Sequence, residues 1–243
     1  MTQHFIKHAE WPRKHSNKFD CVFMDPPDNI GLQYKDSTDN ISAHKYGIRI
    51  FNWLSAVIDS LSDTGTMWVS FNSQYTLLVA RMSDSILQSQ KNLTIKTMVQ
   101  TFTFGQHSQY DFGNNHRPLW RFQKPDAKVY TDQIRCESVR QKQGDKRADP
   151  HGRVPSDVFD FPRVVGNSRQ RRSWHPTQLG EGLVERCIKS CTLKDDWVLD
   201  VFSGTGTALR VCKSIGRNSV SVESSLYYCT MIAAEHDLEV LNP

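Results

Sequence analysis

No stretch of eighteen consecutive apolar residues occurs in this chain, which argues against a membrane-spanning helix. The opening residues MTQHFIKHAEW lack the apolar core of a signal peptide, so no secretory leader is expected. Cysteine is sparse: six in 243 residues, at 21, 136, 187, 191, 212 and 229, with no C-x-x-C pair. That spacing offers no zinc site and no disulfide framework, and Cys187 and Cys191, four apart, read as core thiols on a helix. No metal is therefore expected, and the default setting is a reducing, cytoplasmic compartment. Internal repeats and low-complexity tracts are also missing, as is any nuclease-like constellation.

Ordinary globular features fill the remainder. Hydrophobic residues make up 38% and charged residues 23%, enough for a substantial core. The net charge of +4 is unevenly placed. Between Arg117 and Trp174 there are 14 Lys/Arg against 7 Asp/Glu, whereas the rest of the chain carries 16 against 19. A basic middle within a mildly acidic body suits a polyanion, although a solvated insertion has the same composition.

Short apolar runs bounded by turn residues read as buried strands at 19–24, 65–71, 96–104, 118–122, 197–202 and 218–223. Helical periodicity occupies 48–61, 74–87, 179–191 and 225–241. Strands alternating with helices predict an α/β layered domain with a largely parallel sheet. From about Pro125 to Arg172 the rhythm breaks into a long polar segment, closing on DVFDFPRVVGNSRQRRSW, where aromatic and basic residues interleave.

Two strand ends carry unusual loops, and ligands of open α/β sheets bind beyond the carboxyl ends of strands. In WVLDVFSGTGTALR, Asp200, Phe202, Ser203, Gly204, Gly206 and Thr207 separate strand from helix. Glycines there let a ligand approach the backbone, and the following helix offers free N–H groups. Glu223 ends the next strand, placed to hold ribose hydroxyls. A phosphate-binding loop requires Gly-Lys-Ser/Thr, but Thr207 and Ala208 follow Gly206; a dinucleotide loop requires a third glycine where Leu209 stands. S-adenosylmethionine, a nucleoside without phosphate, remains.

The other loop is DPPD, Asp25-Pro26-Pro27-Asp28. Pro26 has no N–H for the ladder and biases Asp25 toward extended backbone, so the strand stops with a carboxylate at its lip. Such a carboxylate with a neighbouring carbonyl can accept both hydrogens of an exocyclic amine. The same turn is also a plain strand terminator.

Together these motifs resemble the amino-methylating DNA methyltransferases, whose catalytic motif is [DNS]-P-P-[YFW] and whose cofactor motif is similar to D-x-F-x-G-x-G-T. With DPPD first, the cofactor loop last and a basic insertion between them, the order resembles the beta class, a circular permutation. WHPTQLGEGLVERCI (174–188) is similar to the family's H-P-T-Q-K-P stretch, and GQHSQYDFGNNHRPLWRFQK (105–124) to its polar turn before a strand. The resemblance implies a single Rossmann-like domain, mostly parallel and flanked by helices. Its catalytic half would span 1–124, a target-recognition insertion 125–172, and a cofactor-binding half 173–243. The N-terminal FIKHAEW would supply the strand beside that of Glu223.

The same resemblance implies S-adenosyl-L-methionine as cofactor and duplex DNA with a flipped base as substrate, and leaves room for a homodimer. Asp25 and the Pro26 carbonyl would hold the amine. Phe202 would pack on adenine and Glu223 hold the ribose, with His175, Thr177 and Asp200 near the methionine end. Lys142, Lys146, Arg147, Arg153, Arg169, Arg171 and Arg172 would meet DNA. The leading Asp resembles adenine-N6 enzymes; cytosine-N4 and RNA amino-methylation, or an inactive DNA-binding relative, are the alternatives. Two departures stand out. Leu179-Gly180 replaces Lys-Pro, and Asp28 replaces the aromatic residue that stacks on the base. Either Tyr34 or Tyr46 takes over that role, Asp28 bonds a base edge, or the chain is catalytically weak.

Overall fold

A computed structural model describes residues 4–7, 19–90, 92–106 and 109–241, side chains at 4–7 and 104–106 excepted. The strands are β1 (His4–Lys7), β2 (Phe19–Met24), β3 (Leu61–Ser70), β4 (Thr94–Gln106), β5 (Asn114–Gln123), β6 (Val158–Asp160), β7 (Trp197–Asp200), β8 (Asn218–Glu223) and β9 (Val240–Leu241). The helices are α1 (Ala43–Ile58), α2 (Thr76–Ser89), the single turn α3 (Val139–Lys142), α4 (Glu181–Lys189), α5 (Thr207–Ile215) and α6 (Leu226–His236).

All nine strands form one sheet in the order β6-β4-β5-β3-β2-β7-β8-β1-β9. Its centre, β3-β2-β7-β8, is parallel, while β5 and β1 join antiparallel on either side. This is a Rossmann-like α/β arrangement. FDCVFM is apolar at nearly every position because both faces of β2 are covered. Val22 and Met24 pack with Ile50, Leu54 and Ile58 of α1 and Val79 and Ile86 of α2. Cys21 and Phe23 point the other way, into Leu183, Val184, Cys187 and Ile188 of α4 and Ala208, Val211 and Cys212 of α5. All six cysteines are unpaired thiols, five of them buried, as core residues should be.

The permuted order is visible in the pairing. β2, near the start of the chain, sits directly beside β7, with Phe23 opposite Asp200. β1 runs antiparallel to β8, so residues 5–7 of FIKHAEW occupy the expected place; residues 8–11 lie outside the described residues. The polar segment 125–172 is not a separate body. Its Val158–Asp160 adds β6 to the sheet edge, a strand too short to show periodicity in sequence. Its other root lies at the amino ends of the parallel strands. There the Tyr130 N–H donates to Ser190 O at 2.8 Å, and Gln133 Nε2 donates to Lys189 O and Thr192 O at 3.2 and 2.9 Å.

Helix ends differ from expectation: the run 48–61 becomes α1 at Ala43–Ile58, with Leu61 already opening β3. The periodic run 225–241 breaks at Asp237, which caps α6 in left-handed backbone (φ 54°) and turns the chain into β9. The loss of Lys-Pro after Gln178 is resolved simply: Gly180 caps α4, which begins at Glu181.

Candidate active site

Register brings the two loops together. Met24 pairs with Val69 in β3, and Ser70 pairs with Leu119 in β5, so Asp25, Ser70 and Arg117 converge on one lip of the sheet. Asp200 lies one strand over, followed by the glycine loop.

The residue that organises the DPPD turn is Arg117. Its Nη1 donates to Asp28 Oδ2 at 2.7 Å, and its Nη2 donates to Asp28 Oδ1 at 3.1 Å and to Asp25 Oδ1 at 3.0 Å. Its Nε donates to Ser70 Oγ at 3.1 Å. The side chains of Arg117, Asp28 and Asp25 are 18%, 11% and 27% exposed. Burial opposes the charge on Arg117, but Asp28 and then Asp25 outweigh it and raise its pKa. Burial pushes Asp25 up to about 6; Arg117 pulls down, and Asp28 adds to the rise. Sequence reading passed over Arg117 as one more cation in a basic segment, and only sheet register reveals its partners.

Tyr46 stands beneath this turn. It is 2% exposed, its hydroxyl donates to Pro27 O at 2.7 Å, and its ring packs on Tyr75 with centroids 4.6 Å apart. Its ring is enclosed by these neighbours, so the structure removes Tyr46 as a stacking candidate and makes it a brace. Tyr34 is different. It lies half-buried on the loop 29–41, its ring 5.6 Å from that of His175. Burial raises its pKa, so it remains a neutral phenol.

The loop 29–41 is closed at its neck by Asn29, in left-handed backbone (φ 53°). Asn29 Oδ1 accepts from Ile41 N at 2.8 Å, and Nδ2 donates to Ile41 O and Tyr75 Oη at 2.9 and 2.8 Å. The far side of the loop reaches α6: Lys35 N donates to Tyr228 Oη at 2.9 Å, and Ser225 Oγ donates to Asp36. The loop thus joins the DPPD strand to the half that carries the glycine loop.

On that side, Gly204 and Gly206 adopt φ of 50° and 73°. A Cβ on Gly204 would lie 3.3 Å from the His175 ring, and one on Gly206 would lie 3.0 Å from Ile232. Glycine is therefore required by both conformation and space. Glu223 turns one carboxylate oxygen to the Gly204 N–H at 2.9 Å and the other to Ser224 N and Ser225 N at 2.8 and 3.0 Å. Asp200 is 4% exposed and accepts from Phe202 N at 3.2 Å. Burial pushes it up to about 8, with Glu223 and Asp25 adding to the rise. Phe202 is half-buried and meets Trp53 edge-on at 5.0 Å. His175 is buried, its Nδ1 2.7 Å from Thr177 O, and burial lowers its pKa. Ser203 and Thr207 turn inward: Ser203 Oγ donates to Val222 O at 3.1 Å, and Thr207 Oγ1 accepts from Arg210 at 3.1 Å. They fix the loop and helix start.

This donor set fits a nucleoside carrying an ammonium group and no phosphate. Two acids, Asp200 and Glu223, flank the glycine loop; they offer acceptors for hydroxyls and no cation for a phosphate, and a bound cation would draw the proton from buried Asp200. Among the described residues no group of three His, Cys, Asp or Glu could hold a metal, and no helix is long and apolar enough to cross a membrane.

The basic residues divide by location. Arg171 donates to the carbonyls of Arg172 and His175 at 2.7 Å, bracing the turn that carries His175. Arg172 pairs with Glu235, its Nε 2.9 Å from Oε2. Arg169 is exposed nearby. Lys142, Lys146, Arg147 and Arg153 are exposed on a stretch that follows the Tyr130 and Gln133 anchors at the amino ends of the parallel strands, and Cys136 bridges Arg153. Arg147 is there paired with Asp145 at 3.0 Å.

Comparison with known proteins gives the family. The DNA methylase family model matches residues 19–235. The DNA adenine methyltransferase YhdJ of Escherichia coli K12 is 31% identical over 240 residues, covering 92% of this chain and 78% of its own. Type II methyltransferase M.HpaI of Haemophilus parainfluenzae is 28% identical over 223 residues, covering 92% and 69%. Among solved structures, the PvuII DNA methyltransferase (cytosine-N4-specific) superposes with a TM-score of 0.68 at 17% identity, covering 89% of this chain and 79% of its own. The M1.HpyAVI–SAM complex has a TM-score of 0.57 at 18% identity, covering 90% and 89%.

Proposed function

The chain belongs to the DNA methylase family, and we propose that it methylates the exocyclic N6 amine of adenine at specific DNA sites, with S-adenosylmethionine as donor. The observation that carries this reading is the meeting of Asp25 and the glycine loop across the β2–β7 pair, with Phe23 opposite Asp200. The adenine assignment draws on the Asp-Pro-Pro motif and on the adenine methyltransferase at 31% identity.

S-adenosylmethionine, when bound, supplies an electrophilic methyl group. Glu223 would hold its ribose, Phe202 would pack on its adenine, and Asp200, His175 and Thr177 would bound its methionine end. The chain's own work lies in the amine. The target base leaves the duplex, at a cost of roughly a few kcal/mol, because a paired amine is out of reach. Ionised Asp25 and the Pro26 carbonyl accept its two hydrogens, directing the nitrogen lone pair away from the ring. When the new N–C bond forms, the nitrogen becomes acidic, and Asp25 is the carboxylate placed to receive its proton. Tyr34 is the remaining stacking candidate. Arg169 is an exposed cation near the cofactor side of the lip and the first choice for a phosphate contact; Lys142, Lys146, Arg147 and Arg153 would reach only flanking DNA. A cytoplasmic setting is part of this proposal.

The test is in vitro: Asp25→Ala should abolish transfer to DNA while S-adenosylmethionine binding by calorimetry is retained. Full turnover in that variant would mean that another group receives the amine. Parallel assays on duplex DNA, single strands and RNA set the substrate, and label entering RNA alone would refute the DNA assignment.

A further inference from the structure

The DPPD turn has a charge arrangement that an aromatic fourth residue could not make. Asp28 takes both Nη atoms of Arg117, a bidentate hold that fixes the guanidinium plane. Ser70 takes Nε, and one Nη2 hydrogen is left for Asp25. We propose that Arg117 and Asp28 are a positioning pair for Asp25: Asp28 anchors the guanidinium, and the guanidinium keeps the Asp25 carboxylate charged and aimed. This inference rests on the reading of Asp25 as the amine acceptor.

The physical need is clear from the surroundings. Asp25 is faced by Arg117 from β5, Asp28 from its own turn, Ser70 from β3, Tyr46 from α1, Tyr34 from the loop 29–41 and Asp200 from β7. Arg117 is the one cation named among these neighbours. Without it, Asp25 would face Asp28 in a poorly solvated site and would hold a proton at neutral pH. A protonated carboxyl accepts an amine hydrogen poorly and cannot take up a proton. Asp28 in turn is what keeps Arg117 in place, because Lys or an unanchored Arg would lack the fixed fork. Asp28 thus serves the acid two prolines earlier, and the site need not be read as inactive because the ring is missing.

Two measurements on the full chain test the pair. The first is a 13C NMR titration of the Asp25 carboxylate without ligand, assigned with Asp25→Asn. The second is a pH profile of single-turnover methyl transfer. Wild type should titrate near 6. Arg117→Gln should move the midpoint upward by about 1–3 pH units, so that transfer at pH 6.5 falls by about fourfold or more relative to pH 8.5. Arg117→Lys should fall between. Should Arg117→Gln fail to fold, Asp28→Asn and Arg117→Gln/Asp28→Asn replace it. The single variant should titrate below wild type, because a neighbouring negative charge is gone, yet transfer more slowly at pH 8.5, because the guanidinium has lost its anchor; the double variant should titrate above the single one. Unchanged midpoints, with activity lost equally at every pH, would overturn the pair while leaving Asp25 as acceptor. Midpoints that move as expected in a wild-type chain that transfers no methyl group would overturn the reading of Asp25, and the catalytic role of the pair with it.

Discussion

Asp28 is the residue whose meaning changes most between sequence and structure. In sequence it replaces an expected ring, and nothing local explains it. In the fold it receives two hydrogen bonds from Arg117, 89 residues away. Restoring the ring is therefore not a simple repair. Asp28→Tyr strips a buried guanidinium of its main partner, and breaking a buried pair costs about 3–5 kcal/mol. Urea denaturation should show a loss of that order, reduced when Arg117→Leu is added; a stable single variant would mean the pair is weak. Asp200 gives a second residue-scale expectation. Its folded-state pKa of about 8 lies above the ordinary carboxylate range, so the protonated form favours the ligand-free fold. The stability it contributes is full at acid pH and is lost as pH rises through 8. Melting temperatures between pH 6 and pH 9 should fall less steeply in Asp200→Asn. An identical slope would show that Asp200 is ionised throughout.

At the scale of elements, the loop 29–41 joins the two halves of the site. Its neck depends on Asn29, whose amide bonds Ile41 twice and Tyr75 once. Asn29→Ala should cost about 1–3 kcal/mol in stability and weaken cofactor affinity, because Tyr34 would lose its seat against His175. Arg171→Ala should likewise weaken cofactor binding, since its guanidinium holds the carbonyls of the His175 turn. Unchanged affinity by calorimetry in both variants would separate this loop and turn from the cofactor. The strand at 19–24 was legible because burial on both faces leaves a nearly continuous apolar run, and that at 218–223 because Val220 and Val222 alternate with Ser219 and Ser221. β6 was not, since three residues carry no period. Nor was the end of α6, where left-handed Asp237 stops a pattern that stays apolar to Leu241. Tyr46 was misjudged for a related reason: nearness in sequence to DPPD does not say whether a ring faces out or supports the turn from below.

For the whole molecule, one sheet brings the first and last thirds of the chain to a common lip, as the motif order DPPD, insertion, glycine loop implied. What sequence could not supply was where the basic segment goes. Its cations look continuous along the chain, yet they attach at opposite ends of the sheet. Arg169→Ala should therefore lower the salt dependence of DNA affinity by roughly one counterion. Replacing Lys142 and Lys146 together should change it less on a short duplex. The reverse ranking would place DNA on the other end of the sheet.

The most direct test of the central claim uses labelled S-adenosylmethionine and unmodified duplex DNA, with wild type and Asp25→Ala side by side, followed by digestion and nucleoside mass spectrometry. The account predicts N6-methyladenine from wild type and none from the variant. No label in DNA from wild type, or equal label from both, would contradict it.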